Sequence, residues 1–221
     1  MTTLTGAPDR SVQVNAVLDA PLSRWLWLVK WVLAIPHYVV LFFLWVAFLV
    51  VSVIAFFAIL FTERYPRALF DFNLGVLRWS WRVAYYGYGA LGTDRYPPFS
   101  LGAEPDYPAR LDIAYPERLS RGLVLVKWWL LAIPHYLVIG FFVGGYPLGW
   151  WEGGLIAVLV VIAAVALAFT EKYPRGLFDL VLGLNRWVLR VGAYAALMTD
   201  SYPPFRLDLG GAEPGGPEKR S

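Results

Sequence analysis

The chain has 221 residues, of which 58% are hydrophobic and 16% are charged, with a formal net charge of +3 and no cysteine. Soluble domains carry about 25% charged residues, so this composition predicts a membrane protein. The lack of cysteine excludes disulfides, thiol catalysis and cysteine metal sites. Without an aromatic and basic module, the small positive charge does not favour nucleic acid as a partner.

The polar ends of the chain give the first predicted boundaries. Residues 1–10 and 210–221 are expected to be disordered, and the opening stretch is too polar for a signal peptide. SVQVNAV at 11–17 alternates apolar and polar residues, as a half-buried strand does. ARLDIAY at 109–115 and FRLDL at 205–209 alternate in the same way. We expect these short strands to form a small polar sheet on one membrane face, joining the start of one repeat to the end of the other.

Two long apolar runs follow the predicted strands. From His37 to Phe61 there is no Asp, Glu, Lys or Arg, and from Tyr136 to Phe169 there is only Glu152. A hydrocarbon layer about 30 Å thick needs about 20 apolar residues in a helix, and a helix pairs its own backbone groups in lipid. The runs therefore predict a mainly α-helical integral membrane protein.

The chain contains two copies of one unit. AIPHY at 34–38 recurs at 132–136, and TDRYPPF at 93–99 recurs as TDSYPPF at 199–205. FTERYPRALFD at 61–71 recurs as FTEKYPRGLFD at 169–179. We assign residues 11–105 to repeat unit 1 and 106–209 to repeat unit 2, as parallel repeats. The offset rises from 98 to 108, which places a ten-residue insertion at GGYPLGWWEGG, 144–154.

Two membrane arrangements keep the strand ends of each unit on one side. Either each apolar run folds into a hairpin, or it crosses once and the following helix returns. The hairpin places every Lys and Arg on one side, and Trp45, Trp150 and Trp151 fall at its turns, where tryptophan prefers the interface. FFLWVAFL at 42–49 contains no turn residue, which favours one long helix. We favour the hairpins and keep the alternative open.

A polar line of residues follows each Tyr-Pro-Arg turn at helical spacing. It comprises Asp71, Gly75, Arg78, Arg82 and Tyr86 in unit 1, and Asp179, Gly183, Arg186, Arg190 and Tyr194 in unit 2. One interpretation is structural: Arg78 and Arg82 pair with Asp71, Glu63 or lipid headgroups. The other is that paired guanidinium groups bind phosphate or anionic lipid, because their planar donors fit its oxygens.

Pro36, His37, Pro134 and His135 form the repeated Ile-Pro-His-Tyr motif, and the chain has only these two histidines. A histidine can act as a base or a metal ligand, but the sequence has no paired metal-ligand spacing and no nucleophile elbow. The structural interpretation is that each proline bends the helix and each histidine bonds to a freed carbonyl or to water. We predict no catalytic residue, metal or cofactor. Lys30 and Lys127, among tryptophans, are expected to anchor at the interface.

LSRWLWLVKWVLAIPHY, FTERYPRALFDFNLGVLRW and TDRYPPF resemble the bacterial membrane family catalogued as domain of unknown function 4389. The two-copy form, with YPERLSRG at 115–122, is similar to its actinobacterial members. The resemblance implies a multi-pass protein of the bacterial inner membrane and supplies no catalytic residue. Charge bias places most charged segments in the cytoplasm.

We expect a non-enzymatic protein that binds anionic lipid headgroups or a partner protein at the cytoplasmic face. The partners would be membrane lipids and a membrane protein or a second copy of the chain. The alternatives are a lipid-modifying enzyme that uses His37 and His135, and a small-solute transporter.

Overall fold

The computed structural model describes residues 11–144 and 154–210. Two strands and seven α-helices occur in these residues, in an order that repeats. Unit 1 contains β1 (Val12–Ala16), α1 (Trp27–Leu33), α2 (Ile35–Thr62) and α3 (Arg67–Tyr86). Unit 2 contains β2 (Ala109–Ile113), α4 (Arg121–Val126), a π-helical turn (Lys127–Leu131), α5 (Ile133–Val143), α6 (Leu155–Thr170) and α7 (Arg175–Ala195). The two polar ends that were expected to be disordered lie outside the described residues, except for Gly210.

The first apolar run forms one continuous helix, α2, of 28 residues. Pro36 stands in its first turn, where a missing N–H costs nothing, and Glu63 ends it in the left-handed conformation with φ 60°. The preferred hairpin in unit 1, with its turn near Trp45, is therefore wrong. No Gly, Pro, Asn or Asp interrupts this run, so every residue can continue the helix.

In unit 2, α5 and α6 together take the place of α2. A Cβ built on Gly154 would lie 2.2 Å from the carbonyl oxygen of Phe142 and 2.3 Å from the amide nitrogen of Gly144. The chain therefore leaves α5 and enters α6 at almost the same point, and both helices pack on α7. The predicted insertion belongs between these points, and its residues 145–153, with Trp150, Trp151 and Glu152, lie outside the described part.

The buried layer of the fold is formed by α3 and α7. Helix α3 runs antiparallel to α2: Trp79 contacts His37, while Asn73 donates a hydrogen bond to Ser52. On its other side α3 packs against β2, and α7 packs against β1. Most residues of α3 and α7 are buried. Their polar line therefore faces protein, with apolar helices on one side and the sheet on the other.

The sheet pairs the starts of the two units. Strands β1 and β2 are antiparallel, with Val14 opposite Leu111 at the centre of the pairing. The prediction that the sheet joins the start of one unit to the end of the other is wrong, since residues 205–209 are not a strand. The physical reason lies in their carbonyl groups: the guanidinium group of Arg186 binds the carbonyl oxygens of Asp208 and Gly210.

The two units contact each other head to tail. Arg24, just before α1, pairs with Glu171 just after α6 at 2.8 Å. Arg121, at the start of α4, pairs in the same way with Glu63 just after α2 at 3.1 Å. Each apolar layer thus begins where the other ends, so α2 and the α5–α6 pair run in opposite directions. An approximate two-fold axis through the Val14–Leu111 pair relates the units.

The two outer faces of this arrangement differ in polarity. Large apolar side chains are exposed along the whole of α2, and the same holds for α5 and α6. Among the described residues, α2 is the one helix long and apolar enough to cross a membrane alone; the run from α4 through α5 passes the same test as a span bent by 45°. On the opposite face, Arg110 and Asp112 of β2 are exposed, as are Arg95 and Asp106 of the preceding loop. The apolar face supports association with a membrane.

Candidate functional site

Arg78 and Arg186 lie beneath the sheet and hold its two strands. Arg78 donates through Nε to the carbonyl oxygen of Leu111 at 2.9 Å and pairs with Asp112. Arg186, which is fully buried, donates through Nε to the carbonyl oxygen of Val14 at 2.9 Å. Each arginine therefore binds the strand of the other unit, at the central pair of the sheet. Both Nε contacts go to backbone carbonyl groups, so their effect is to hold the two strands in position on α3 and α7.

The second arginine of each helix binds the segment that follows Tyr-Pro-Pro-Phe. Arg82 donates to the carbonyl oxygens of Ser100 and Gly102. Arg190 forms an ion pair of 2.7 Å with Asp208. These segments approach closely because the polar line contains a glycine: a Cβ on Gly75 would lie 2.8 Å from that of Leu101. The arginine stripe (Arg78, Arg82, Arg186 and Arg190) is thus largely covered by the chain itself, with the Arg78 side chain 20% exposed.

The acidic partners predicted for the stripe lie elsewhere. Asp71 pairs with Arg67 at 3.5 Å, one turn away on α3, and Glu63 pairs with Arg121. Asp71 stands two helical turns from Arg78, which is too far for an ion pair. Asp179 lines a cavity together with Arg175. The ion pairs predicted from Arg78 and Arg82 to Asp71 and Glu63 are therefore wrong, and binding of anionic lipid by the stripe stays a prediction.

Each histidine lies in an aromatic cage built by its own unit. The indole N–H of Trp79 donates to Nδ1 of His37 at 3.1 Å, and the ring of Phe99 stacks on the imidazole at 4.0 Å. Trp187 and Phe205 surround His135 in the same way. The predicted bond from the histidine to a freed carbonyl is wrong for Nδ1, which accepts from tryptophan.

The second ring nitrogen of each histidine, Nε2, is buried in its cage. An imidazole that accepts at Nδ1 carries its proton on Nε2, and this atom has no hydrogen-bond partner among the described residues in either unit. Pro36 and Pro134 stand in the first turns of α2 and α5, after a break at Ala34 and Ala132. Within residues 11–144 and 154–210, no three His, Asp or Glu side chains are grouped to hold a metal ion.

The interface role predicted for the two lysines is wrong. Lys30 is 1% exposed and pairs with Asp94 at 2.8 Å, while Lys127 is fully buried and pairs with Asp200 at 2.7 Å. Both ammonium groups also donate to the carbonyl of the preceding threonine. Burial lowers the pKa of Lys30, and the hydrogen bond and charge of Asp94 act in the opposite direction.

These lysine–aspartate pairs connect two of the repeated motifs. The lysine of VKW binds the aspartate of the Thr-Asp that opens TDRYPPF or TDSYPPF. The same aspartates accept hydrogen bonds from the backbone N–H of Ser23 and of Ser120. Both the VKW motif and the Thr-Asp motif occur in each copy, and this recurrence was the available sequence signal for the pairs. The spacing of motifs along the chain does not show which of them come into contact in the fold.

The comparisons with known proteins agree with the repeated pattern. The model of the family described as Domain of unknown function (DUF4389) matches the chain twice, at residues 24–100 and 125–206. No curated protein and no solved structure matches the chain. The matches include the lysines, the histidine cages and the arginine stripe of both copies.

Proposed function

The chain belongs to the family Domain of unknown function (DUF4389), as two tandem copies, and we propose that it is a non-enzymatic membrane protein that lies in one leaflet and binds anionic headgroups. The observation that carries the proposal is the separation of the two faces. The face formed by α1, α2 and α4 to α6 is apolar, and the face formed by the sheet and its loops is charged.

The position of the sheet argues against helices that cross the bilayer. Arg78 and Arg186 stand near the middle of α3 and α7 and contact the centre of the sheet. If α2 crossed the membrane, α3 beside it would hold the sheet and its exposed Arg110 and Asp112 at the depth of the hydrocarbon core. Open sheet edges and exposed charged side chains are not tolerated there.

This conflict disappears in an in-plane arrangement, in which α2 and the α5–α6 pair lie parallel to the membrane surface. The two-fold axis then points along the membrane normal, and both apolar layers lie in the lipid while the sheet faces water. The strand ends of both units stay on one side, as the repeats require, with no crossing at all. Helix α2 is about 42 Å long at 1.5 Å per residue, which is longer than a perpendicular span needs and unrestricted in the membrane plane.

Basic residues surround the boundary between the two faces. Arg64, Arg67, Arg118 and Arg121 are exposed near the end of α2, and Arg24, Lys172 and Arg175 are exposed near the end of α6. In the in-plane arrangement these side chains stand at headgroup level, where a basic residue contributes about 1 kcal/mol on an anionic membrane. The contribution is smaller for Arg24, Arg67 and Arg121, which are paired with nearby carboxylates. They suit headgroup binding better than the covered arginine stripe does.

Labelling of single cysteines tests the arrangement, because the natural chain has no cysteine. The positions are Arg64→Cys, its counterpart Lys172→Cys, and Ala103→Cys in the exposed loop before β2. In sealed vesicles, we expect an impermeant maleimide to label all three from the same side. The reagent applied after permeabilisation gives the total for each variant.

The two crossing arrangements give different patterns. If antiparallel helices cross, Arg64→Cys and Lys172→Cys react from opposite sides. If each run crosses once and the next helix returns, both react from the side opposite Ala103→Cys. Either pattern contradicts the in-plane arrangement and supports the multi-pass topology. The side that is labelled also tests the predicted cytoplasmic orientation.

A further inference from the structure

One end of the molecule contains a large cavity. It has a volume of about 1050 Å³ and lies between the segment that follows β1, the end of α6 and the start of α7. Its wall is largely apolar, with Val17, Leu18, Leu167 and Phe178 among the lining residues. The volume is large enough for a lipid acyl chain or another ligand of drug-like size.

The corresponding place at the other end of the molecule is occupied by a side chain. The sequence Leu-Ser-Arg occurs at 22–24 and again at 119–121, an offset of 97, so Leu18 in unit 1 corresponds to Tyr115 in unit 2. The ring of Tyr115 lies 5.1 Å from that of Phe70, and its hydroxyl donates to the carbonyl of Tyr65. The cavity therefore exists where the pseudo-symmetric copy has a smaller residue.

The residues near Leu18 enlarge the difference between the two ends. Ala20 and Pro21 line the cavity, whereas the same offset places Glu117 and Arg118 at the other end. At the filled end, the guanidinium group of Arg67 lies 4.5 Å from the centre of the Tyr115 ring. Its counterpart Arg175 lines the cavity together with Leu18.

The rim of the cavity favours an anionic group. Lys172 and Arg175 line it together with Glu171 and Asp179, and Glu171 is already paired with Arg24. Helix α7 begins at this rim without a side-chain cap, so its first N–H groups and its positive dipole end are available to an anionic group. Next to the lining residue Leu167, the side chain of Phe169 is 82% exposed at the end of α6.

We propose that this cavity binds one anionic phospholipid, with an acyl chain along the Leu18 wall and the phosphate at Lys172 and Arg175. The proposal rests on the membrane location proposed above and adds a single asymmetric site to it. The asymmetry follows from the two copies: a tyrosine fills the volume at one end, and a lipid fills it at the other. A phospholipid matches the site because it combines an apolar chain with a negative group at one end.

Matched exchanges between the two copies test the site. The protein is purified in mild detergent, exposed to phosphatidylglycerol or to zwitterionic phosphatidylethanolamine, and studied by native mass spectrometry. The wild type should retain one phosphatidylglycerol. Leu18→Tyr, which copies the filled end, should lower this retention about tenfold through the loss of buried apolar contact. Tyr115→Leu, which opens the filled end, should add a second bound lipid.

A surface pair separates the headgroup contact from folding. Arg175→Gln should reduce the preference for phosphatidylglycerol over phosphatidylethanolamine, and Arg110→Gln, on the exposed face of the sheet, should leave that preference unchanged. Equal retention of the two lipids by the wild type, or undiminished retention by a folded Leu18→Tyr variant, overturns the proposal. Cysteine labelling tests the in-plane arrangement and does not depend on how many lipids are bound. A failure of the lipid site is therefore distinguishable from a failure of the in-plane arrangement.

Discussion

At the scale of single residues, charged side chains in the interior determine which segments meet. Arg186 is fully buried and donates to three backbone carbonyl groups, those of Val14, Asp208 and Gly210. Arg78, its counterpart, has a side chain that is 20% exposed and binds Leu111 and Asp112. The same residue type at equivalent positions therefore has different surroundings, which allows a direct comparison.

We predict that Arg186→Gln lowers the free energy of unfolding by about 3 kcal/mol and Arg78→Gln by about 1 kcal/mol. The larger loss follows because buried acceptors without donors are costly, whereas water can replace a part-exposed donor. Thermal or denaturant unfolding in one detergent measures both variants. Equal losses would contradict the difference in burial on which the prediction rests.

The buried lysine–aspartate pairs permit a double-mutant test. Lys127→Met removes the cation and leaves Asp200 in its pocket, which is 27% exposed at the side chain. We expect a loss of about 2 kcal/mol, below the range for a fully buried pair. The further loss of unfolding free energy when Asp200→Asn is added to Lys127→Met should be smaller than the loss caused by Asp200→Asn in the wild type. Strict additivity of the two changes in unfolding free energy would show that the pair is not coupled.

At the scale of elements, the two copies show how one helix becomes two. Helix α2 is continuous, whereas its equivalent is divided into α5 and α6, with Gly144 and Gly154 in contact. The offset between the copies rises by ten residues across this point. Removing ten residues therefore restores the helical register of α2.

We predict that deletion of residues 145–154 gives a folded protein whose second apolar run is one helix. Helix content by circular dichroism should not fall. The free energy of unfolding should stay within about 1 kcal/mol of the wild type, because the entropic cost of closing a loop changes only slowly with its length. A control deletion of residues 46–55 in α2, which also removes ten residues, should abolish folding, since it removes the buried Phe48 and Ala55. Failure of both deletions alike would contradict the equivalence of α2 and α5–α6.

At the scale of the whole molecule, each unit completes the other. Strand β1 pairs with β2, Arg78 and Arg186 bind strands across the two-fold axis, and Arg24 and Arg121 close the two ends. A single unit would expose an unpaired strand and leave its arginine without the strand carbonyl. Tandem duplication in one chain supplies both halves at high effective concentration.

We predict that residues 1–105 and 106–221 form a complex when co-expressed and are unstable when expressed alone. Co-purification through a tag on one half measures the association, and size-exclusion chromatography measures the state of each half. An isolated first half that elutes as a single species with the helix content of the intact protein would contradict the prediction.

The sequence by itself determined the repeats, the apolar runs and the elements at the start of each unit. Periodicity reports what a segment buries, so β1, β2 and the helices after Tyr-Pro-Arg were predictable, and two complete copies made the motif boundaries visible. The family was likewise identifiable from motifs that recur in both copies.

Only the tertiary structure decided what these segments contact. The hairpin was predicted from charge bias, which describes the sides of a membrane and not the continuity of a helix, and α2 formed because nothing in it interrupts hydrogen bonding. The partners of Lys30, Arg78 and Arg186 lie 64, 33 and 172 residues away, and such pairings depend on packing. The cavity beside Leu18 is likewise a property of the folded pair, since its volume results from one smaller side chain between segments that meet only in the fold.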